Sequence, residues 1–316
     1  MNKLKIFSLF SGFGGAEWAL KKAGIPFECV GYSEIKPAAI TIYDNNFNNN
    51  KKNPIIPNYG DVTKINPKNL PDFDLLTGGF PCQDVSVAGK NNLATGRTIL
   101  FDEIIRIAQV KHPRWMLLEN VKGILQKKHS KFFTHIQQEL TRIGYHVHIK
   151  TLNSKDYGIP QNRQRVYFMC FRDIKEYNNF KLPTKVPLTL KVEDILDPTA
   201  IRQTIKNKRL KRILNSPTNK SNPMFELKGD TPSGVSRQGD RIYSTICPCL
   251  NCTQKENKFY INNEVIVLTG KEQFRLQGFL NDEIDLTGIS ENKLKDLSGD
   301  GWDINIVSKI FKEMIK

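Results

Sequence analysis

The first half of the chain alternates short apolar runs with segments of helical spacing. Residues 5–10, Lys5-Ile6-Phe7-Ser8-Leu9-Phe10, read as a buried strand. Residues 16–23 read as a helix opened by Gly14-Gly15. A second strand is predicted over 28–33. A second helix follows over 37–43, with Pro37 in its first turn, where a missing N–H costs nothing. Residues 74–77 form another apolar run, closed by Gly78-Gly79. Helical spacing returns at 100–110, and a strand over 115–118 ends at Glu119-Asn120. A helix over 132–143, an alternating strand over 145–152 and a strand over 166–171 complete the series. This rhythm predicts an α/β fold, a doubly wound and mostly parallel sheet. Such sheets bind ligands at the carboxyl ends of their strands. Residues 11–15, Glu34, Asp61, residues 79–83 and Glu119-Asn120 all fall there.

The rhythm breaks after Arg172. Residues 172–262 carry Pro, Asn, Lys and Thr in short, irregular runs, which predicts a second, smaller domain. Regular patterning resumes with a helix over 269–276 and an amphipathic helix over 303–314. Its apolar face is Ile304, Ile306, Val307, Ile310 and Phe311, expected to pack back onto the large domain. The expected divisions are therefore 1–171, 172–262 and 263–316.

Composition adds a partner. The chain has 316 residues, 39% of them apolar, enough for a large and a small packed domain and too apolar for a disordered chain. Its net charge of +15 and pI near 9.5 point to a polyanion, unless a Lys- and Asn-rich bias, as in residues 45–53, accounts for them. Residues 172–262 hold 17 Lys and Arg against 9 Asp and Glu, more than half of the net charge. Arg202, Lys206, Lys208, Arg209, Lys211 and Arg212 cluster within them, either facing phosphates or forming a solvated helix face. No run approaches the roughly 20 apolar residues of a membrane span. The N-terminal apolar run is too short for a signal core. Six cysteines without an export signal suggest a reducing cytoplasm and no disulfides.

The candidate chemistry sits at the strand ends. Residues 10–15, Phe10-Ser11-Gly12-Phe13-Gly14-Gly15, let a ligand approach the backbone and offer helix N-terminal amides. Glu34 can accept from ribose hydroxyls or cap a helix, and Asp61 can accept from an adenine amino group. Cys29 and Cys170 lie in apolar strands and belong to the core. Cys82 instead follows a strand end and Pro81, and precedes a long polar loop over 83–96. Glu119 would lie at the same sheet edge. Arg163 and Arg165, two apart on an extended segment, share a face and suit a phosphate or a pyrimidine carbonyl.

These blocks, in this order and over nearly the whole chain, resemble the cytosine-5 DNA methyltransferase family of bacterial modification enzymes. Residues 7–15 resemble its cofactor-binding glycine motif, and Gly79-Phe80-Pro81-Cys82-Gln83 its Pro-Cys motif. Residues 97–103 resemble the segment closing the catalytic loop, with Thr98 where Gly is usual. Glu119-Asn120-Val121 and residues 161–165 resemble the two motifs around the target base. Residues 269–279 resemble the block supporting the recognition domain, and residues 239–245 with Cys249-Leu250 that domain's core. The last block departs: Gly299-Asp300-Gly301-Trp302 stands where Gly-Asn-Ser is usual, adding a negative charge beside the cofactor.

The resemblance implies a Rossmann-like S-adenosylmethionine-dependent methyltransferase domain with an irregular target-recognition domain. It implies Cys82 as nucleophile on cytosine C6, Glu119 as acid at N3, Arg165 on O2, and Arg163 positioning the base or the thiolate. S-adenosylmethionine would be bound by Phe10, Ser11, Gly12, Gly14, Gly15, Glu34, Ile35, Asp61, Val62, Pro81, Leu100, Asp300 and Trp302. Ser86, Lys90, Arg97, Arg237, Gln238, Arg241 and Cys249 would contact double-stranded DNA around a flipped base. The expected form is a cytoplasmic monomer, acting at the nucleoid through DNA, with no membrane partner; a restriction endonuclease can be its genetic partner. Cys247, Cys249 and Cys252 lack an obvious fourth partner for zinc and fall where the family has Ser and Thr, so no metal is expected. A tRNA cytosine-5 methyltransferase of the same fold and a non-catalytic DNA-binding regulator are the alternatives. No Asp/Asn/Ser-Pro-Pro-Tyr/Phe tetrapeptide suggests amino-group methylation.

Overall fold

The structure is a computed structural model. It describes residues 3–49, 54–81, 96–201, 224–227, 240–243, 245–250, 258–261 and 264–316. The chain divides into two compact units. The first comprises 1–153, 164–185 and 301–316, the second 154–163 and 186–300.

The first unit is built on a six-stranded sheet. Its strands are β1 (Leu4–Leu9), β2 (Phe27–Ser33), β3 (Leu75–Gly79), β4 (Trp115–Val121), β5 (His146–Asn153) and β7 (Gln164–Phe171), in the order β2-β1-β3-β4-β7-β5. Pairings of β1 with β2, β1 with β3 and β3 with β4 are parallel. β7 runs antiparallel to both neighbours. The strand order reverses at β1, which has β2 on one side and β3 on the other. This is the switch point where open α/β sheets form a ligand crevice.

Helices α1 (Gly15–Ala23), α2 (Pro37–Tyr43), α3 (Gly96–Lys111), α4 (Ser130–Arg142) and α5 (Ile174–Asn179) accompany the strands. Phe101, Ile104 and Ala108 of α3 and Ile136 and Leu140 of α4 bury themselves against Leu76, Met116, Leu118 and Phe168 of the sheet. The terminal helix α8 (Ile304–Met314) packs along α1. Asp303 caps it, accepting from Asn305 N at 2.8 Å and Ile306 N at 3.2 Å.

In the second unit β6 (Gln161–Asn162) pairs with β10 (Cys247–Pro248). A four-stranded sheet has the order β12-β11-β9-β8, from β8 (Met224–Leu227), β9 (Asp240–Tyr243), β11 (Lys258–Ile261) and β12 (Glu264–Val267). Ile159, Val192, Ile195, Cys247, Leu250, Phe259 and Leu276 form its core. Helix α6 (Gly270–Arg275) starts in a capping box between Thr269 and Glu272, and α7 (Glu291–Asp300) ends the unit. The division differs from the one expected at 171 and 262. Residues 154–163 leave the large unit because β6 pairs with β10, and only 301–316 of the C-terminal segment returns to it.

Candidate active site

The ends of β1, β3 and β4 and the start of β7 meet at one sheet edge. Leu9 is level with Gly78, Gly79 with Glu119, and Val121 with Arg165. Because β7 is antiparallel, its first residues arrive where the parallel strands finish. That register places Arg165 beside Glu119: Arg165 Nε donates to Glu119 Oε1 at 2.9 Å, and both side chains are about nine-tenths buried. Asn120 Nδ2 donates to the Phe80 carbonyl at 3.1 Å and fixes the bend that leads to Pro81. Cys82 lies outside the described residues, as do Ser86, Lys90, Arg237, Gln238 and Cys252. Arg97 falls in α3 and Arg241 in β9.

The turn after β1 is strained in a way that suits a ligand. Phe10, Gly12 and Gly14 have φ of +52°, +56° and +87°. For Phe10 this left-handed backbone costs about 1–3 kcal/mol. At Gly14 a Cβ would also lie 2.5 Å from the Phe47 ring. Nothing lies within 4 Å of the Cβ position at Gly12, and Ser11 Oγ is buried with no hydrogen-bond partner among the described residues. A buried hydroxyl beside open backbone calls for a polar ligand. Glu34 braces this cradle. Its Oε2 accepts from Gly12 N at 2.9 Å, and its Oε1 from Ile35 N and Lys36 N, both at 2.8 Å. Glu34 thus caps α2 as well as facing the turn; of roughly four carboxylate acceptor sites, three are filled. Ile35 beside it is 67% exposed and offers an apolar surface. Asp61 Oδ1 accepts from Thr63 N at 3.0 Å and Thr63 Oγ1 at 2.8 Å, and these bonds hold its carboxyl below the usual range. Val62 is buried and Leu100 partly buried in the core against the sheet. These features fit the S-adenosylmethionine expected from the sequence.

Trp302 packs between the glycine turn and the end of β3. Cβ atoms added at Gly15 and Gly79 would lie 3.1 Å from Trp302 Cβ and 2.7 Å from Trp302 Nε1; the Gly79 one would also be 3.3 Å from Glu119 Oε2. Gly79→Ala is therefore expected to push the indole or Glu119 aside and to cost about 1–3 kcal/mol of transition-state stabilisation. Methyl incorporation should fall roughly 5- to 160-fold, with partial recovery in Gly79→Ala/Trp302→Phe. Unchanged activity in the single variant would remove the steric account.

Arg163 is fully buried in the second unit. Its Nη1 and Nη2 donate to the Gly299 carbonyl at 3.1 Å, and Nη1 also reaches Leu250 O at 3.3 Å and Cys249 Sγ at 3.8 Å. It ties residues 249–250, just past β10, to the end of α7, which carries Asp300. Asp300 itself is exposed at the end of α7. Gln161 has a similar bracing role, donating to Leu276 O at 2.7 Å and accepting from Leu250 N at 3.2 Å.

Sequence patterning did not single out the polar network beneath the turn. Glu17 of α1 is fully buried, and its Oε1 accepts from Ser8 Oγ at 2.6 Å, Tyr43 OH at 3.1 Å and Cys29 Sγ at 3.5 Å. Thr77 Oγ1 donates to Ser8 Oγ at 3.0 Å. The available signal was an acid among Ala16, Trp18, Ala19 and Leu20 on an otherwise buried helix. Burial pushes its carboxyl up, only partly offset by these hydrogen bonds. Glu17 thus binds a proton in the folded state at pH values where an unfolded Glu, near 4.3, has lost it. Stability should fall as pH rises above that value, by at most about 1.4 kcal/mol per unit from this group. Glu17→Gln should melt higher than the wild type near pH 8 and lose that advantage near pH 5. Parallel melting curves at both pH values would contradict a neutral Glu17. Burial likewise pushes the Cys29, Cys170 and Cys247 thiols up, which makes them inert.

The sequence model described as C-5 cytosine-specific DNA methylase matches residues 4–316. Type II methyltransferase M.HhaI of Haemophilus parahaemolyticus is 34% identical over 244 residues, covering 77% of this chain and 71% of that protein. Type II methyltransferase M2.ScrFI of Lactococcus lactis subsp. cremoris is 28% identical over 385 residues, covering 99% of both. The crystal structure of S. pombe Dnmt2 methyltransferase superposes with a TM-score of 0.71 at 18% identity, covering 99% of this chain and 98% of that one, a likeness of fold. With the glycine cradle, the Glu119–Arg165 pair and a family match over residues 4–316, the chain belongs to the C-5 cytosine-specific DNA methylase family.

Proposed function

We propose that Cys82 attacks C6 of a cytosine flipped out of duplex DNA, while Glu119 and Arg165 hold the ring. The observation that carries this reading is the Glu119–Arg165 pair at the sheet edge, level with the strand end that leads to Cys82. A base stacked in a duplex cannot expose C6 to a thiolate, so the base must leave the stack. Carbon 5 of cytosine is a poor nucleophile. Addition of the Cys82 thiolate to C6 makes the ring an enamine whose C5 carries electron density. Glu119 holds N3 and moves a proton to it, and Arg165 holds the O2 carbonyl. Arg165 also occupies Oε1 of Glu119 and orients the carboxyl. S-adenosylmethionine, when bound, supplies the electrophilic methyl group that C5 takes. A water molecule then takes the C5 proton, the C5–H electron pair re-forms the C5–C6 double bond and expels Cys82 as the thiolate, and N3 returns its proton to Glu119. Ser11, Gly12, Gly14, Glu34, Ile35 and Trp302 bind and orient the donor, supported by the buried Ser11 hydroxyl and the open ground over Gly12.

Arg163 acts as a brace for the segment carrying Cys249, supported by its bonds to backbone carbonyls. Residues 172–262 read base edges and grip phosphates, which their excess of Lys and Arg favours. The working form is a monomer in the cytoplasm, bound to DNA, with a cognate endonuclease as genetic partner. No helix among the described residues is long and apolar enough to cross a membrane. Bisulfite sequencing of DNA from cells expressing the chain tests the substrate. Protected cytosines in one sequence context are the expected result. Methylation confined to tRNA would replace this reading with the RNA alternative.

A further inference from the structure

Past Asn120 the chain enters a basic surface that neither the cofactor cradle nor the proposed cytosine site uses. Residues 121–138 contain Lys122, Lys127, Lys128 and Lys131 and no Asp or Glu. All four lysines are exposed and make no ion pair with a carboxylate among the described residues. Val121 and Leu125, between and beside them, are 37% and 43% exposed. The surface is firmly mounted. Ile124 is fully buried in the core against the sheet, α3 and α4. Gln126 N donates to Gly123 O at 3.0 Å and His129 N to Gln126 O at 2.8 Å, closing successive turns.

Fold stability does not account for these charges. Lys127 and Lys128 precede α4 and Lys131 stands in its first turn, which holds no acid. The start of a helix is the positive end of its dipole, where cations are unfavourable by a few tenths of a kcal/mol or more. The four ammonium groups also repel one another. A polyanion over this surface would relieve both effects. The position suits the substrate. Lys122 follows Glu119 by three residues, about 10 Å of extended chain. Duplex DNA carries about one charge per 1.7 Å of axis, so a duplex delivering a base to Glu119 brings several phosphates within reach.

We propose that Lys122, Lys127, Lys128 and Lys131 form a phosphate-gripping surface on the catalytic unit, which holds the DNA backbone independently of residues 172–262. The proposal rests on Glu119 facing the flipped base. It concerns affinity and not base reading, because ammonium groups on phosphates carry no sequence information.

The test is duplex binding by the full chain, followed by fluorescence anisotropy over a salt series. In the variant Lys127→Gln/Lys128→Gln/Lys131→Gln, the dependence of log K on log[salt] should flatten by about 0.9 per lost contact, so by about 3. The Kd should rise at least about tenfold at low salt, equally for duplexes with and without the methylated sequence. Melting temperature should stay level or rise, since the helix start loses adverse charge. The triple Lys→Arg variant should keep the wild-type slope. An unchanged slope and Kd would overturn the proposal, as would a loss confined to duplexes with the target sequence, or a larger loss for tRNA than for duplex DNA. Methylation by the wild type in the same preparation separates the two readings: an inactive wild type would count against the cytosine chemistry, whereas an active wild type with an unchanged slope counts against this surface alone.

Discussion

Cys82→Ala should reduce methyl transfer to the uncatalysed background while leaving duplex binding within a few fold of wild type. The thiolate is the only group proposed to activate C5, so no second route remains once it is gone. The loss should not reflect unfolding. Phe80 is anchored in the core and its carbonyl is held by Asn120 at 3.1 Å, so the entry to the loop stays fixed without the sulfur. The contrast within the chain is equally specific. Cys29→Ala and Cys170→Ala should retain activity, because burial pushes both thiols up and denies them thiolate character. Methyl incorporation from tritiated donor and anisotropy on the same preparations separate chemistry from binding.

Glu119→Gln should lower kcat by about 10²- to 10⁴-fold, the range for loss of a positioned acid or base. Glutamine keeps the shape and an acceptor, but it cannot deliver a proton to N3. It also deprives Arg165 of its charge partner. Both side chains are about nine-tenths buried, and breaking a buried pair by removing one partner destabilises by about 3–5 kcal/mol at full burial. A fall in melting temperature should therefore accompany the kinetic loss. Glu119→Asp keeps the charge and shortens the reach, so it should recover more stability than rate. Single-turnover methyl transfer at saturating DNA checks this. A variant with normal kcat and a lowered melting temperature would reduce Glu119 to a structural partner of Arg165.

The catalytic strands were legible because they bury both faces and so read as continuous apolar runs. Their ends were less so. β4 continues through Glu119 and Asn120 because the backbone of these polar residues pairs with Tyr167 and Val166. A ladder bond is indifferent to side-chain polarity. The reversed direction of β7 was not legible, since strand direction is set by the sheet it joins. That direction is what brings Arg165 beside Glu119. Spacing alone put Arg163 and Arg165 on one face, yet residue 163 closes the segment that pairs with β10, so its guanidinium turns to backbone carbonyls of the second unit. Glu34 carried two readings, a capping acid and a ligand acceptor, and its geometry combines capping of α2 with bracing of the glycine turn. Glu17 was hidden because an acid in a helix ordinarily faces water; only the packing of Ser8, Tyr43 and Cys29 around it accounts for its burial.

The proposed reaction turns on a covalent bond between Cys82 and C6 of cytosine. Duplex DNA carrying 5-fluorocytosine in the methylated sequence tests it most directly, in the presence of S-adenosylmethionine. Fluorine cannot leave C5 as the proton does, so the step that frees Cys82 is blocked. The expected result is a denaturant-resistant complex whose cross-linked peptide contains Cys82. Absence of that complex from a preparation that methylates ordinary cytosine, or a cross-link through another residue, would contradict it.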